Sequence, residues 1–283
     1  MNKIITCIDG SAYSDDVCNA GIWAAKKLNK AILFLHAIEK QNRAAAEDLS
    51  GSIGLGARSA LLEELASLDE KRARLALQVG QEMLNHVNEM AQQQGCENIE
   101  KTQRHSGIVE AICDLESDAR IIVVGRSGES HEQDFKALGS HIEQIIRQVH
   151  VPVLIANKNF TEPRNFMLAY DGRETADKAV KRIIEGGILH NLPCHLVTVK
   201  SSSADLLEKF KHTESMLVES GFDVKSTLLE GGIFKALTDY KANNDVDMLV
   251  MGAFSRSKIA HAFLGSNTHK MLESTHLPLL VLR

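Results

Sequence analysis

The sequence lacks most of the features that would announce a chemistry. No apolar run approaches the ~20 residues of a membrane-spanning helix, so no membrane partner is expected. The five cysteines (Cys7, Cys18, Cys96, Cys113 and Cys194) are odd in number, scattered and without a C-x-x-C pair. That excludes a disulfide framework and a zinc ribbon and points to reduced thiols. Twelve histidines are present, but none sits in an H-E-x-x-H pattern, so no metal site is expected. The start, Met1-Asn2-Lys3, runs straight into an apolar strand without the three regions of a secretory signal, which predicts a cytoplasmic chain. Basic excess is missing too: the net charge of −5 argues against a nucleic-acid partner.

What is present is ordinary in bulk and unusual in arrangement. A chain of 283 residues, 44% apolar and 24% charged, suits two soluble domains. The arrangement is a duplication. Ile121-Ile122-Val123-Val124-Gly125 and Met248-Leu249-Val250-Met251-Gly252 are each followed by a Gly-Ser pair, Gly139-Ser140 and Gly265-Ser266. Each pair leads to a His-x-Pro strand, starting at His150 and at His276. Both Gly139 to Gly265 and Pro152 to Pro278 are steps of 126 residues. Upstream, an apolar strand ends in Asp9-Gly10 and again in Asp171-Gly172, a step of 162, so the first half carries 36 extra residues.

Each half alternates short β-rich runs with helical patterns. Strands are predicted at 3–8, 31–37, 99–105, 119–125 and 152–156, and again at 165–170, 194–199, 223–229, 248–252 and 278–282. Runs this continuously apolar are buried on both faces, which requires helices on both sides of a parallel sheet. The expected fold is α/β, with two doubly wound five-stranded parallel-sheet domains at 1–157 and 162–283, split at the polar segment Asn157–Pro163. Pro152 and Pro278 open strands expected at a sheet edge, where proline is tolerated. His150 and His276 recur before the last strands and are read as structural.

The extra residues of the first half form a long helical insertion at about 41–75, continuous with a helix over 57–94. Leu61, Leu65, Leu68, Leu75, Val79, Met83, Val87 and Met90 recur every three or four residues, which predicts a helix facing the core, with a partner-binding or dimer-forming face as the second reading. The run Ser50–Gly56 imitates a phosphate loop, but no strand precedes it, and it reads as an entry to the helix.

A glycine-bearing loop between a buried strand and a helix lets backbone N–H groups approach phosphate, with the positive end of the helix behind them. The second half offers Gly252-Ala253-Phe254-Ser255, nine residues, then Gly265-Ser266-Asn267-Thr268, with Arg256 and Lys258 between. Asp171, closing the first strand of that half, faces the same crevice if its strand is central, where it can accept from a nucleoside hydroxyl or amine. Each of these residues also has a plainer role. The glycines can serve tight strand ends and close helix packing, and the aspartates can cap the following turn.

These residues resemble the universal stress protein family in its tandem form, with the adenine nucleotide alpha hydrolase-like fold. Its ATP-binding members carry G-x2-G-x9-G-[S/T] after the fourth strand and an aspartate closing the first. The resemblance covers both halves apart from 41–56, and implies a nucleotide site at Asp171, Val199, Gly252, Ser255, Arg256, Gly265, Ser266, Asn267 and Thr268. It implies a second site at Asp9, Gly125, Gly128, Gly139, Ser140 and His141. It also implies pairing of the last strands, 151–156 with 277–282, as an internal pseudo-dimer; self-association is expected through terminal strands or, on the helix's own pattern, through the long helix.

Both copies depart from the pattern. Ser255 stands where the family has its second glycine, and the first copy has ten residues between Gly128 and Gly139 instead of nine. The first loop is also acidic (Glu129, Glu132, Asp134), only partly offset by Arg126 and His141. Residues 1–157 carry 16 Lys and Arg against 22 Asp and Glu, whereas residues 158–283 carry 16 against 15, so the second half is the better host for a polyanion. The S-G-G-x-D-S, H-I-G-H and K-M-S-K-S elements of adenylating enzymes are absent, and no nucleophile–base pair stands beside either loop. The expectation is a stress-response protein that binds ATP, with or without Mg2+, in a regulatory role; a slow ATPase and a nucleotide-free interaction module are the alternatives.

Overall fold

The computed structural model describes residues 3–39, 55–126, 140–200, 205–252 and 275–282, with only the backbone at 55–62 and 140. In the first half, β1 (Lys3–Cys7), α1 (Ser14–Leu28), β2 (Ala31–Ala37), α2 (Leu55–Gln93), β3 (Ile99–Arg104), α3 (Ile108–Leu115), β4 (Ala119–Gly125), α4 (Ser140–Gln148) and β5 (Val153–Ala156) follow in order. The second half repeats them as β6 (Phe166–Ala169), α5 (Glu174–Gly186), β7 (Cys194–Val199), α6 (Leu206–Glu219), β8 (Val224–Leu229), α7 (Ile233–Asn243), β9 (Leu249–Gly252) and β10 (Leu279–Leu282).

All strands lie in one ten-stranded sheet of order β3-β2-β1-β4-β5-β10-β9-β6-β7-β8. Within each half the pairing is parallel, and the single antiparallel pair among the described residues is β5 with β10, where Leu279, Leu280 and Val281 face Ile155, Leu154 and Val153. The internal pseudo-dimer is therefore a continuous sheet. This corrects the edge position expected for the proline-led strands: each half covers the other's edge. Pro152 and Pro278 stand one residue before β5 and β10, where no N–H is needed, and their carbonyls accept from Ile122 and Leu249 at 3.0 Å. With both edges used inside the chain, the terminal strands offer no template for a second copy.

Side chains alternate across the sheet into two apolar layers. One layer collects Ile4, Phe34, Leu154, Phe166, Leu196 and Leu280 with Trp23 and Val17 of α1, Leu84 and Val87 of α2, Val180 of α5 and Phe210 of α6. The other collects Ile5, Leu35, Ile122, Val153, Val197 and Val281 with Ile112 of α3, Ile145 of α4 and Tyr240 of α7. Helices on both faces explain why the strand sequences are continuously apolar. The connecting segment packs as well: the Phe160 N–H donates to Asp16 at 2.9 Å, and its ring lies 6.2 Å from that of Trp23. His150 is held beside Glu116, and the His276 backbone carbonyl accepts from Asn157 at the β5–β10 junction.

The helix α2 departs from expectation. It and α6 end alike, each two residues before a glycine with positive φ, Gly95 and Gly221. Counted back from there, α2 has 39 residues against 14, and the surplus of 25 is residues 55–79. From Gly80 onward the helix packs. A Cβ at Gly80 would overlap the side chains of Gln103 and His36, and Leu84, Val87 and Ala91 are buried. Ala76 and Leu77 are half-buried, the Leu77 carbonyl accepting from Gln103 at 3.4 Å, but Leu65, Leu68, Leu75 and Val79, read above as core-facing, are exposed. The helical period is shared by both stretches, but the sheet ends beneath residue 80, so only the later turns have a core to face. The glycine-rich run 50–56 falls almost wholly outside the described residues.

Candidate functional site

In each half the chain leaves the central strand in one direction and returns on its other side. β1 lies between β2 and β4, and β6 lies between β7 and β9. A crevice opens at such a switch point, outside the carboxyl ends of the strands, and it is where ligands of open α/β sheets bind. Asp9 follows β1 and Gly125 ends β4 at the first switch point. Asp171 follows β6 and Gly252 ends β9 at the second. The central position on which the role of Asp171 depended is thus observed.

The two Asp-Gly turns are built alike. Gly10 and Gly172 have φ of 77° and 72°, a region that favours glycine. Asp9 Oδ1 accepts from the Ser11 N–H at 3.0 Å, and Asp171 Oδ1 accepts from the Arg173 N–H at 3.0 Å. Each carboxylate therefore caps its turn with Oδ1, and Asp171 Oδ2 lies 3.6 Å from the Arg173 guanidinium. Tyr170 precedes Asp171 and points away, its hydroxyl donating to Asp177 at 2.6 Å, with burial foremost in pushing its phenol up to about 12. Val199 ends β7 beside Leu229 of β8, with its side chain packed on the apolar layer. Gly252 has a packing reason of its own, since a Cβ there would lie 2.5 Å from the Thr175 carbonyl oxygen of α5.

Gly128, Gly139, Ser255, Arg256, Gly265, Ser266, Asn267 and Thr268 lie outside the described residues. Ser140 opens α4, and His141 beside it reaches Glu39 at 3.5 Å. His141 and Glu39 line a cleft of about 480 Å³ between α3 and α4, with Gly107, Glu110, Asp114 and Gln144 among others; Asp9 and Gly125 do not line it. Three carboxylates make this cleft a poor host for phosphate.

The sequence reading missed three cations of the second crevice. Arg173 stands where the first half has Ser11, each two residues after its aspartate. Lys200 follows β7 where Ile38 follows β2, and their N–H groups donate to equivalent carbonyls, of Leu229 and Arg104. Lys209 stands where the first half has Met83, each 12 residues before its helix-ending glycine. Met83 and Lys209 both lie by the Asp-Gly turn: a Cβ at Gly10 would overlap Met83, and Lys209 Nζ donates to the Gly172 carbonyl at 3.3 Å. The missing signal was an alignment of the halves at these turns rather than at the glycine loops. Each cation has an exposed carboxylate neighbour (Asp171, Glu230 and Asp205, respectively). Exposed pairs of this kind are worth ~0–1 kcal/mol and exchange readily for another anion.

Burial pushes the Cys18 and Cys194 thiols up to about 12 and raises Cys7 further still, which disfavours the thiolate at all three. Among the described residues no cluster of three or more His, Cys, Asp or Glu has a metal-binding arrangement, and no helix is long and apolar enough to cross a membrane.

The sequence model described as the universal stress protein family matches residues 1–157 and again 163–283. The chain belongs to the universal stress protein family, as a tandem of two such domains. It is 31% identical, over the whole length of both chains, to universal stress protein Slr1230 of Synechocystis. Among solved structures, a universal stress protein from Archaeoglobus fulgidus aligns over 100% of this chain and 98% of its own, with a TM-score of 0.68 and 18% identity. A putative universal stress protein from Pseudomonas aeruginosa aligns over 100% and 93%, with a TM-score of 0.63 and 14% identity. At those identities the two structures bear on the fold, and the fold they share is the tandem one described above.

Proposed function

We propose that the chain is a cytoplasmic stress-response protein that binds ATP, or a closely related adenine nucleotide, in the crevice of its second half, and that it acts through nucleotide occupancy rather than through rapid turnover. The observation that carries this reading is the substitution of cations for neutral residues at equivalent places around the duplicated Asp-Gly turn: Arg173 for Ser11, Lys200 for Ile38 and Lys209 for Met83. The turn itself is unchanged, so at this turn the halves differ in charge rather than in shape. A triphosphate brought to the second crevice would take over cations now paired with exposed carboxylates, and charge-assisted contacts to phosphate are the stronger kind. In the first half the corresponding loop, after β4, carries Glu129, Glu132 and Asp134.

Asp171 Oδ2, 3.6 Å from Arg173, would accept from a ribose hydroxyl, and Val199, at the end of β7, would stand beside the base. Ser255, Arg256, Gly265, Ser266, Asn267 and Thr268 would supply the phosphate loop, and Mg2+ would accompany the phosphates. Purification without added nucleotide, followed by denaturation and identification of what is released, tests the reading, together with calorimetric titration by ATP. Bound adenine nucleotide, or ATP affinity lost on Gly265→Val, supports it. Neither release nor titratable binding rejects it in favour of an interaction module, and steady turnover above ~1 s⁻¹ would point to an enzyme instead.

A further inference from the structure

We infer that residues 55–79 of α2 form a docking arm for a second copy of this chain, pairing antiparallel with the same segment of that copy. The surplus turns run about 37 Å at 1.5 Å per residue. No residue from Glu63 to Leu75 is buried, on any side of the helix. Along this stretch Leu65, Leu68, Leu75 and Val79 are 38%, 44%, 60% and 45% exposed. With Arg72 they alternate in steps of three and four, the a and d spacing of a coiled-coil seam, and Leu61 continues the series in sequence. A lone helix with this seam has nothing to gain from it. A core-facing helix would show a broader stripe, and Gly80, where the packed part of α2 begins, marks the end of the exposed one.

Charge selects the partner and its direction. In a parallel pair, Arg72 would meet Arg72 of the second copy inside the seam, and Glu64 would face Asp69 of the second copy across it, both repulsive. An antiparallel pair centred on Glu70 removes both clashes; Asp69 and Lys71, beside the two-fold axis, then approach their own copies on opposite flanks, and the Asp69 pair is offset by the two Arg72 guanidinia. Leu65 then meets Leu75 of the second copy, Leu68 meets the stem of its Arg72, and the Arg72 guanidinium lies beside its Asp69. The arrangement is self-complementary about a two-fold axis, as a closed pair of identical chains requires. It leaves β5 and β10, already joined within the chain, untouched.

Sedimentation of the full chain over a wide concentration range tests this. The mass should double with concentration. Leu68→Glu and Leu75→Glu should each hold the chain monomeric with an unchanged circular dichroism spectrum, because both side chains are exposed in the monomer. Arg72→Leu should tighten the dimer at least tenfold by replacing the one charged layer of the seam. A wild-type chain that stays monomeric overturns the proposal, as does a dimer that survives Leu68→Glu. Spin labels, on a background with the half-buried Cys96 and Cys113 replaced by serine, report direction. Axial offsets between identical positions should be about 9 Å at Ser67 and about 24 Å at Gln78 in the antiparallel pair. Equal separations at the two positions would overturn that arrangement.

Discussion

Leu154 of β5 and Leu280 of β10 face each other across the one antiparallel pairing in the sheet, and neither has any surface exposed to solvent. Both belong to the apolar layer that runs beneath α1, α2, α5 and α6, so the core of one half continues into that of the other at this pair. Leu280→Ala should therefore destabilise the whole chain by about 2–5 kcal/mol, as for other buried leucines. Urea denaturation followed at Trp23, in the first half, should shift by as much as denaturation followed by circular dichroism. A loss seen only in the second half would mean that the halves fold as separate units.

Gly252 ends β9 so close to α5 that an added methyl would contact the Thr175 carbonyl oxygen, a backbone atom with little room to yield. Gly252→Ala should cost about 1–3 kcal/mol in the absence of any ligand. Gly186, at the end of α5 with nothing near its missing Cβ, is the control: Gly186→Ala should be neutral or stabilising by up to ~1 kcal/mol. Thermal unfolding of both variants without nucleotide separates a packing role for Gly252 from a purely ligand-binding one.

The fold was legible because its signals are local and were stated twice. Strands such as Ile121–Gly125 and Leu249–Gly252 are apolar throughout, and helix ends such as Gly95 and Gly221 repeat with the same positive φ. The exposure of Leu65, Leu68, Leu75 and Val79 was not legible, because a 3.6-residue period states that a helix has an apolar face without stating what covers it. The internal placement of β5 and β10 was half legible: their pairing follows from the family resemblance, whereas proline as an edge signal fails when it stands just before the strand. Arg173, Lys200 and Lys209 were hidden for a different reason. They come from three separate elements, and only the fold brings them around one turn.

The charge difference between the crevices yields a reciprocal test. Lys209→Met gives the second half the residue of the first, and should weaken ATP binding about tenfold, the equivalent of one charge-assisted hydrogen bond of roughly 1.5 kcal/mol. The wild-type affinity should also fall more steeply with added salt than that of the variant, since one fewer cation remains to be screened. Calorimetry at two ionic strengths measures both. Met83→Lys alone should not confer tight binding on the first half, whose loop after β4 carries Glu129, Glu132 and Asp134 and is one residue longer.

The connection into the second half is pinned by Arg164, whose backbone N–H, Nε and terminal nitrogen all donate to the Asp247 carboxylate just before β9, at 3.0, 2.9 and 3.3 Å. Burial works against the ionised form of Asp247, but the bonds from Arg164 outweigh it and hold the carboxyl below its ordinary 3.8. A carboxyl held low in the folded chain favours folding at pH values above its unfolded pKa, and that contribution is lost as the pH falls through the folded value. Asp247→Asn should therefore lower the melting temperature at pH 7, and the gap from wild type should close as the pH drops below about 4. Because Arg164 is largely exposed, solvent screens part of the interaction, so the gap should be modest and should shrink with added salt, although the backbone N–H bond sustains some of it. Melting curves from pH 7 to pH 3 measure the convergence; a gap that stays constant across that range would show that the asparagine disturbs packing rather than charge.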